Sequence, residues 1–157
     1  MKTLITAFAA LALLPIASAA EVKVSYSPDF AEELADNYGE REGVYLTEKI
    51  VKDLNKAFDR AGIDPARVEV TIMDAKPNRP TYEQLSARPG LDMLRSISIG
   101  GMELQATAYD ADGNELGSKN YGWFEHDIQF VIGLSTWSDA RRASGRFSRK
   151  FATQLAG

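Results

Sequence analysis

The chain has 157 residues with 18 basic and 22 acidic side chains, one histidine and no cysteine. A net charge of −4 argues against nucleic acid as a partner, because binding it favours a strongly basic domain. The missing cysteine excludes disulfides, thiol catalysis, sulfur-based zinc sites and a lipid-bearing cysteine, and a lone His126 excludes multi-histidine metal sites, so no metal and no cofactor is implied.

Met1-Lys2-Thr3 opens the chain with a positive charge, and Leu4 to Ala17 is an almost unbroken apolar run. Ala17-Ser18-Ala19 supplies small residues for cleavage, which is the order of a secretory signal. The run has fourteen residues, too few for a membrane span that needs about twenty. The expected organisation is therefore a cleaved signal peptide over 1–19 and one domain over 20–157, periplasmic or secreted. Losing Lys2 leaves 17 basic and 22 acidic side chains, a net charge of −5.

Val22, Val24 and Tyr26 alternate with Lys23 and Ser25, which predicts a half-buried strand ended by Pro28. Asp29 to Glu42 carries six acidic residues against Arg41, with Phe30, Leu34 and Tyr38 at helical spacing, and Gly39 and Gly43 are expected to limit any helix there. A long helix is predicted from about Val44 to Ala61, with Ile50, Val51, Leu54, Ala57, Phe58 and Ala61 on one stripe and a solvated face of Lys49, Lys52, Asp53, Lys56, Asp59 and Arg60. Gly62 suits its left-handed end, and Pro65 blocks continuation.

Val68, Val70 and Ile72 predict a second strand, running into the Pro-bounded loop Asp74–Thr81. Thr81 and Gln84 have the spacing of a capping box. From Arg95 to about Phe124 the pattern is a hairpin, with Asp110-Ala111-Asp112-Gly113-Asn114 as its turn. The inward parity changes between Ile97, Ile99 and Leu104, Ala106, Ala108, so a bulge or break is expected at Gly100-Gly101. A last helix is predicted from about Trp137 to Leu155, capped by Ser135 or Thr136, with Asp139 in its first turn. The fold class is α+β: a mainly antiparallel sheet in β-α-β-β-β-α order, with two main helices on one face.

Chemistry-bearing patterns are few. There is no G-x-S-x-G elbow and no phosphate-loop spacing, and Asp110–Asn114 lacks the ligands of a calcium loop. Glu125 and Asp127 share a strand parity that excludes His126, making them the pair available to a small hydrolase or ligand-binding enzyme, with Trp123 or Trp137 as an aromatic wall. The stronger candidate is the Pro-bounded loop, where Asp74, Lys76, Asn78 and Arg79, with the strand-end residues Trp123 and Glu125, are expected to bind a partner such as another envelope protein. Arg142, Arg146 and Arg149 form a basic helix face, either simply solvated or suited to an anionic surface, an acidic partner or the chain's own acidic Asp29–Glu42 stretch.

Four segments, Asp74–Thr81, Ser96–Gly101, Tyr121–Glu125 and Thr136–Ala140, together resemble a group of small exported bacterial proteins of unknown function. The element order is also similar to small α/β domains of Gram-negative envelope proteins, many of them lipoproteins, from which this chain departs by lacking the lipid-bearing cysteine. The resemblance implies export and envelope location, and carries no activity.

Overall fold

The computed structural model describes residues 20–131 and 135–157. The signal-peptide expectation lies outside the described residues. Four strands, β1 (Glu21–Tyr26), β2 (Arg67–Lys76), β3 (Gly101–Tyr109) and β4 (Glu115–Phe124), form one sheet in the order β1-β2-β3-β4. β1 and β2 are parallel, and the other two pairings are antiparallel. The parallel pair follows from the connection: the intervening helices return the chain to the same end of the sheet, as a parallel crossover requires.

One face of the sheet is apolar. Val68, Val70, Ile72, Met102, Leu104, Ala106 and Ala108 are buried there, and Lys23, Ser25, Glu69, Thr71, Glu103 and Gln105 take the alternate positions. Two long helices, α2 (Glu40–Ala61) and α4 (Ser138–Leu155), cover the apolar face. They meet through Phe58 and Phe151, whose rings pack edge-on at 6.3 Å, while Phe147 stacks on Phe151 at 5.7 Å. Each fully buried side chain of this size contributes about 1.5–3 kcal/mol, so the stripe on α4 fixes that helix firmly. Among the described residues no helix is long and apolar enough to cross a membrane.

Several boundaries differ from the sequence-based expectation. α2 begins at Glu40 and runs straight through Gly43. A Cβ at Gly43 would come within 2.8 Å of Leu34 and 2.9 Å of the Tyr26 hydroxyl, so this glycine permits close packing rather than ending a helix. Short α1 (Pro28–Glu33) is continued by one π-helical turn, Leu34–Tyr38, which stops at Gly39 with φ of 93°. Asp53 is not on a solvated face: it accepts from Ser144 Oγ at 2.7 Å across the α2–α4 contact and pairs with Lys49. The acidic Asp29–Glu42 stretch receives no ion pair from α4 among the described residues, the pairs formed being local to each element.

The parity problem is solved at two places. β2 carries a bulge between Ile72 and Asp74, which turns Ala75 inward and lets the strand continue to Lys76. Ser27 stabilises that bulge by donating to the Met73 carbonyl at 2.8 Å while capping α1 through Phe30 N. Ile97 and Ile99 are not in a strand at all; they are 44% and 39% exposed, and β3 starts only at Gly101. The expected hairpin therefore spans Gly101–Phe124, and the glycine pair is a break. A Cβ on Gly101 would meet the Trp123 carbonyl at 2.3 Å, which explains the glycine.

Candidate functional site

The segment after β2 does not behave as an exposed polar loop. Pro77, Asn78, Arg79, Pro80 and Thr81 are all buried, and Asn78 is fully so. Its backbone N–H donates to Thr136 O at 2.7 Å, and its carbonyl accepts from Ser98 N at 2.9 Å. Its side-chain amide donates to Ser98 O at 3.1 Å and to Asp139 Oδ2 at 2.5 Å, and its Oδ1 accepts from Asp139 N at 2.8 Å. Asn78 thus caps α4 from a distance, doing what Ser135 and Thr136 were expected to do; the helix has no side-chain cap of its own. Asp139, likewise fully buried, receives Asn78 and Arg142 on its carboxylate. Gly100 closes the joint, because a Cβ there would sit 2.7 Å from Asn78 Oδ1.

This joint ties three of the four resemblance segments together, and Glu125 N, donating to Gly100 O at 2.9 Å, brings in the fourth. In front of it lies a cleft of about 310 Å³ lined by Tyr38, Lys76, Arg79, Gln84, Arg88 and Ser96–Ser98, with Pro77, Pro80 and Leu91. α3 (Tyr82–Ala87) forms one wall, held by the capping box in which Gln84 N donates to Thr81 Oγ1 at 3.2 Å and Thr81 N to Gln84 Oε1 at 3.1 Å. The opposite wall is a turn over 92–96, in which Asp92 Oδ1 accepts from Leu94 N and Arg95 N, each at 2.8 Å. Arg79 braces this turn by donating from Nη1 to the carbonyls of Leu94 at 2.6 Å and Met93 at 3.2 Å.

Tyr38 stands where the π-helical turn meets the cleft, and such turns recur at functional positions. Its ring packs at right angles on Trp137 at 5.7 Å, and Trp137 in turn donates from Nε1 to Glu42 Oε2 at 2.5 Å. Burial, and then the negative charges of Glu33 and Asp74, push the Tyr38 phenol up to about 12, with Arg88 opposing. The phenol is therefore a neutral hydrogen-bonding group at physiological pH. Behind it lies a second cleft of about 740 Å³, whose charged lining is Glu40, Glu42 and Glu83 with Arg41. Tyr38 separates a cationic cleft from a mainly acidic one.

Lys76 apart, the remaining sequence-based candidates lie outside the cleft lining. Asp74 and Lys76 are partly exposed on the end of β2, with Lys76 Nζ 3.9 Å from Asp74 Oδ2 and over the Phe124 ring at 5.5 Å. Trp123 lies on the helix-covered face beneath Arg146 and Arg142, at 4.4 Å and 5.8 Å, and does not line the cationic cleft. Arg142 and Arg146 are half-buried by this stacking, so only Arg149 of the expected basic face is exposed. β4 ends at Phe124, before Glu125. Glu125 Oε1 accepts from His126 N at 2.9 Å, and Asp127 Oδ1 accepts from Gln129 N at 2.9 Å to cap a turn of 3₁₀ helix over Ile128–Phe130. Both carboxylates serve the backbone next to them, and neither lines the cleft. Sequence reasoning does not single out Tyr38, Arg88, Ser96 or Ser98 for a site; they meet through contacts between distant segments, Ser98 through Asn78, Arg88 through Asn37 and Tyr38 through Trp137.

No family model matches the chain, and no curated protein matches it. Among solved structures the chain is similar to a candidate lipoprotein from Caulobacter crescentus, at 15% identity, with 86% of this chain and 87% of that one covered and a TM-score of 0.37. A likeness at that score carries over neither fold nor function.

Proposed function

We propose that the chain is an exported, non-enzymatic binding protein of the bacterial envelope, processed near Ala19 to a single domain of residues 20–157, and that the cleft at the end of β2 is where it engages its partner. The export reading rests on the order of charge, apolar run and small residues in 1–19. The binding reading is carried by one observation: a cleft of about 310 Å³ held open by a hydrogen-bonded joint of distant segments. Pre-ordering of this kind lowers the entropic cost of association. Lys76 and Asp74 offer contacts at its mouth, whereas Asn78 and Arg79 hold its walls. The hydrolase reading on Glu125 and Asp127 gains no support from their capping bonds.

The test is expression with residues 1–19 in a Gram-negative host, with a photo-crosslinking residue at Ile97 beside the cleft or at Thr107 on the sheet. The expected result is a periplasmic protein whose mass has lost residues 1–19, and an adduct formed from position 97 but not from 107. An uncut cytoplasmic chain contradicts export. Equal adducts at both positions contradict the cleft.

A further inference from the structure

Arg79 stands out among the charges of the described residues. It is 7% exposed, and no carboxylate of the described residues lies within 4.0 Å of its guanidinium. Among the described residues its hydrogen bonds both come from Nη1 and go to neutral carbonyls of Met93 and Leu94. Nε is buried with no partner among the described residues. A buried cation without a counter-charge is costly, and proteins ordinarily pair such groups. With Nη1 bonded to the turn and Nε enclosed, Nη2 is the guanidinium nitrogen that Arg79 has left for the cleft it lines, a charged donor suited to an oxygen of a carboxylate or phosphate.

The surroundings point the same way. Lys76 and Arg88 line the cleft with Arg79, and no Asp or Glu does, in a chain whose net charge is −4. Arg88 is tied to Asn37 Oδ1 at 2.9 Å, a neutral acceptor that leaves its charge uncompensated. Asp74, with Oδ2 3.9 Å from Lys76 Nζ, partly offsets that one charge. Ser96, Ser98 and the protonated Tyr38 add neutral hydrogen-bonding groups, while Leu91, Ile97 and two prolines lower the local dielectric and strengthen any ion pair formed there.

We propose that this cleft is a binding site for an oxyanion, a carboxylate or a phosphate, with Arg79 as its buried anchor and Lys76 and Arg88 closing around it. The inference rests on the cleft being the binding site and adds the chemistry of what it takes. A seated anion supplies the counter-charge that the fold itself does not give Arg79.

The test follows backbone amide shifts of the processed protein during titration with hexanoate, hexanamide and inorganic phosphate. Saturable shifts at Tyr38, Ser96 and Ser98 with hexanoate or phosphate, and none with hexanamide, are expected; whichever anion binds more tightly identifies the group. Lys76→Gln and Arg88→Gln, both outside the joint, are each expected to weaken that binding on the order of fivefold, and added salt to weaken it further. Arg79→Lys keeps the charge but cannot both brace the turn and reach the cleft as the guanidinium does, and is expected to weaken it more. Hexanamide binding as well as hexanoate, no shifts with either anion, or unchanged affinity in Lys76→Gln and Arg88→Gln each overturns the proposal. If the anions fail while position 97 still crosslinks, the cleft binds something neutral and only the oxyanion claim falls. If both fail, the cleft is not the site.

Discussion

Replacing Asn78 with alanine removes the single side chain on which the cleft is built. It deletes two donor bonds, to Asp139 Oδ2 at 2.5 Å and Ser98 O at 3.1 Å, and the acceptor for Asp139 N at 2.8 Å. A hydrogen bond to a carboxylate is worth about 1.5–3 kcal/mol, and a lost N-cap about 0.5–2 kcal/mol. These are not additive, because Arg142 Nη1 still reaches Asp139 Oδ1 at 3.2 Å and softens the loss. A net destabilisation of about 3 kcal/mol is expected, measured as the shift of a urea unfolding midpoint at unchanged slope. Asn78→Asp should be worse than Asn78→Ala at neutral pH, since it sets a second carboxylate against the fully buried Asp139. Amide shifts in the native baseline should move first at Ser96–Ser98 and Thr136–Asp139, the segments that Asn78 joins. A loss below about 1 kcal/mol for Asn78→Ala, or an Asn78→Asp variant more stable than Asn78→Ala, would refute the reasoning.

Tyr38 should ionise near its raised value of about 12, and Tyr38→Phe should remove a step there from the phenolate absorbance titration. Its folded value lies above the ordinary value of about 10, so the unfolded chain loses this proton first and stability falls as pH rises between the two. Equal stability loss in wild type and Tyr38→Phe across that window would contradict the assignment. Gly101→Ala should cost about 1–3 kcal/mol in thermal or urea unfolding, because the new Cβ meets Trp123 O at 2.3 Å and the backbone has to move, whereas an unchanged midpoint would show that the strand end gives freely. Glu125→Gln together with Asp127→Asn should leave partner crosslinking at position 97 intact, since both carboxylates only cap neighbouring amides; loss of the adduct would return them to the site.

Periodicity made the strands and helices legible because each buries one face: Val68, Val70 and Ile72 on β2, and Ala140, Ser144, Phe147 and Phe151 on α4, are buried as their spacing requires. It failed where tertiary contacts override the local pattern. Ile97 and Ile99 alternate like a strand, yet Gly100 must leave space for Asn78 and the segment stays irregular. The bulge after Ile72 moves Asp74 to the open side of the sheet and carries Ala75 inward, a shift that no local signal announces. Gly43 reads as a helix breaker until Tyr26 and Leu34 are seen to press against it. The Pro-bounded loop reads as an exposed polar segment, yet Asn78, Arg79 and Thr81 are buried in the fold, and Asn78 finds Asp139 across 61 positions of sequence. The cationic cleft is not legible either, since Tyr38, Lys76 and Arg88 share no spacing and meet only through contacts between distant segments, such as Arg88 with Asn37 at 2.9 Å.

The central claim is that the cleft beside the Asn78 joint is the working surface of the protein. Charge reversal at its mouth, Lys76→Glu with Arg88→Glu, in an exported chain carrying the crosslinker at Ile97, tests it most directly. The account predicts a folded, exported protein with an unchanged unfolding midpoint to within about 1 kcal/mol and an adduct that disappears. An adduct of undiminished yield in that variant would contradict it.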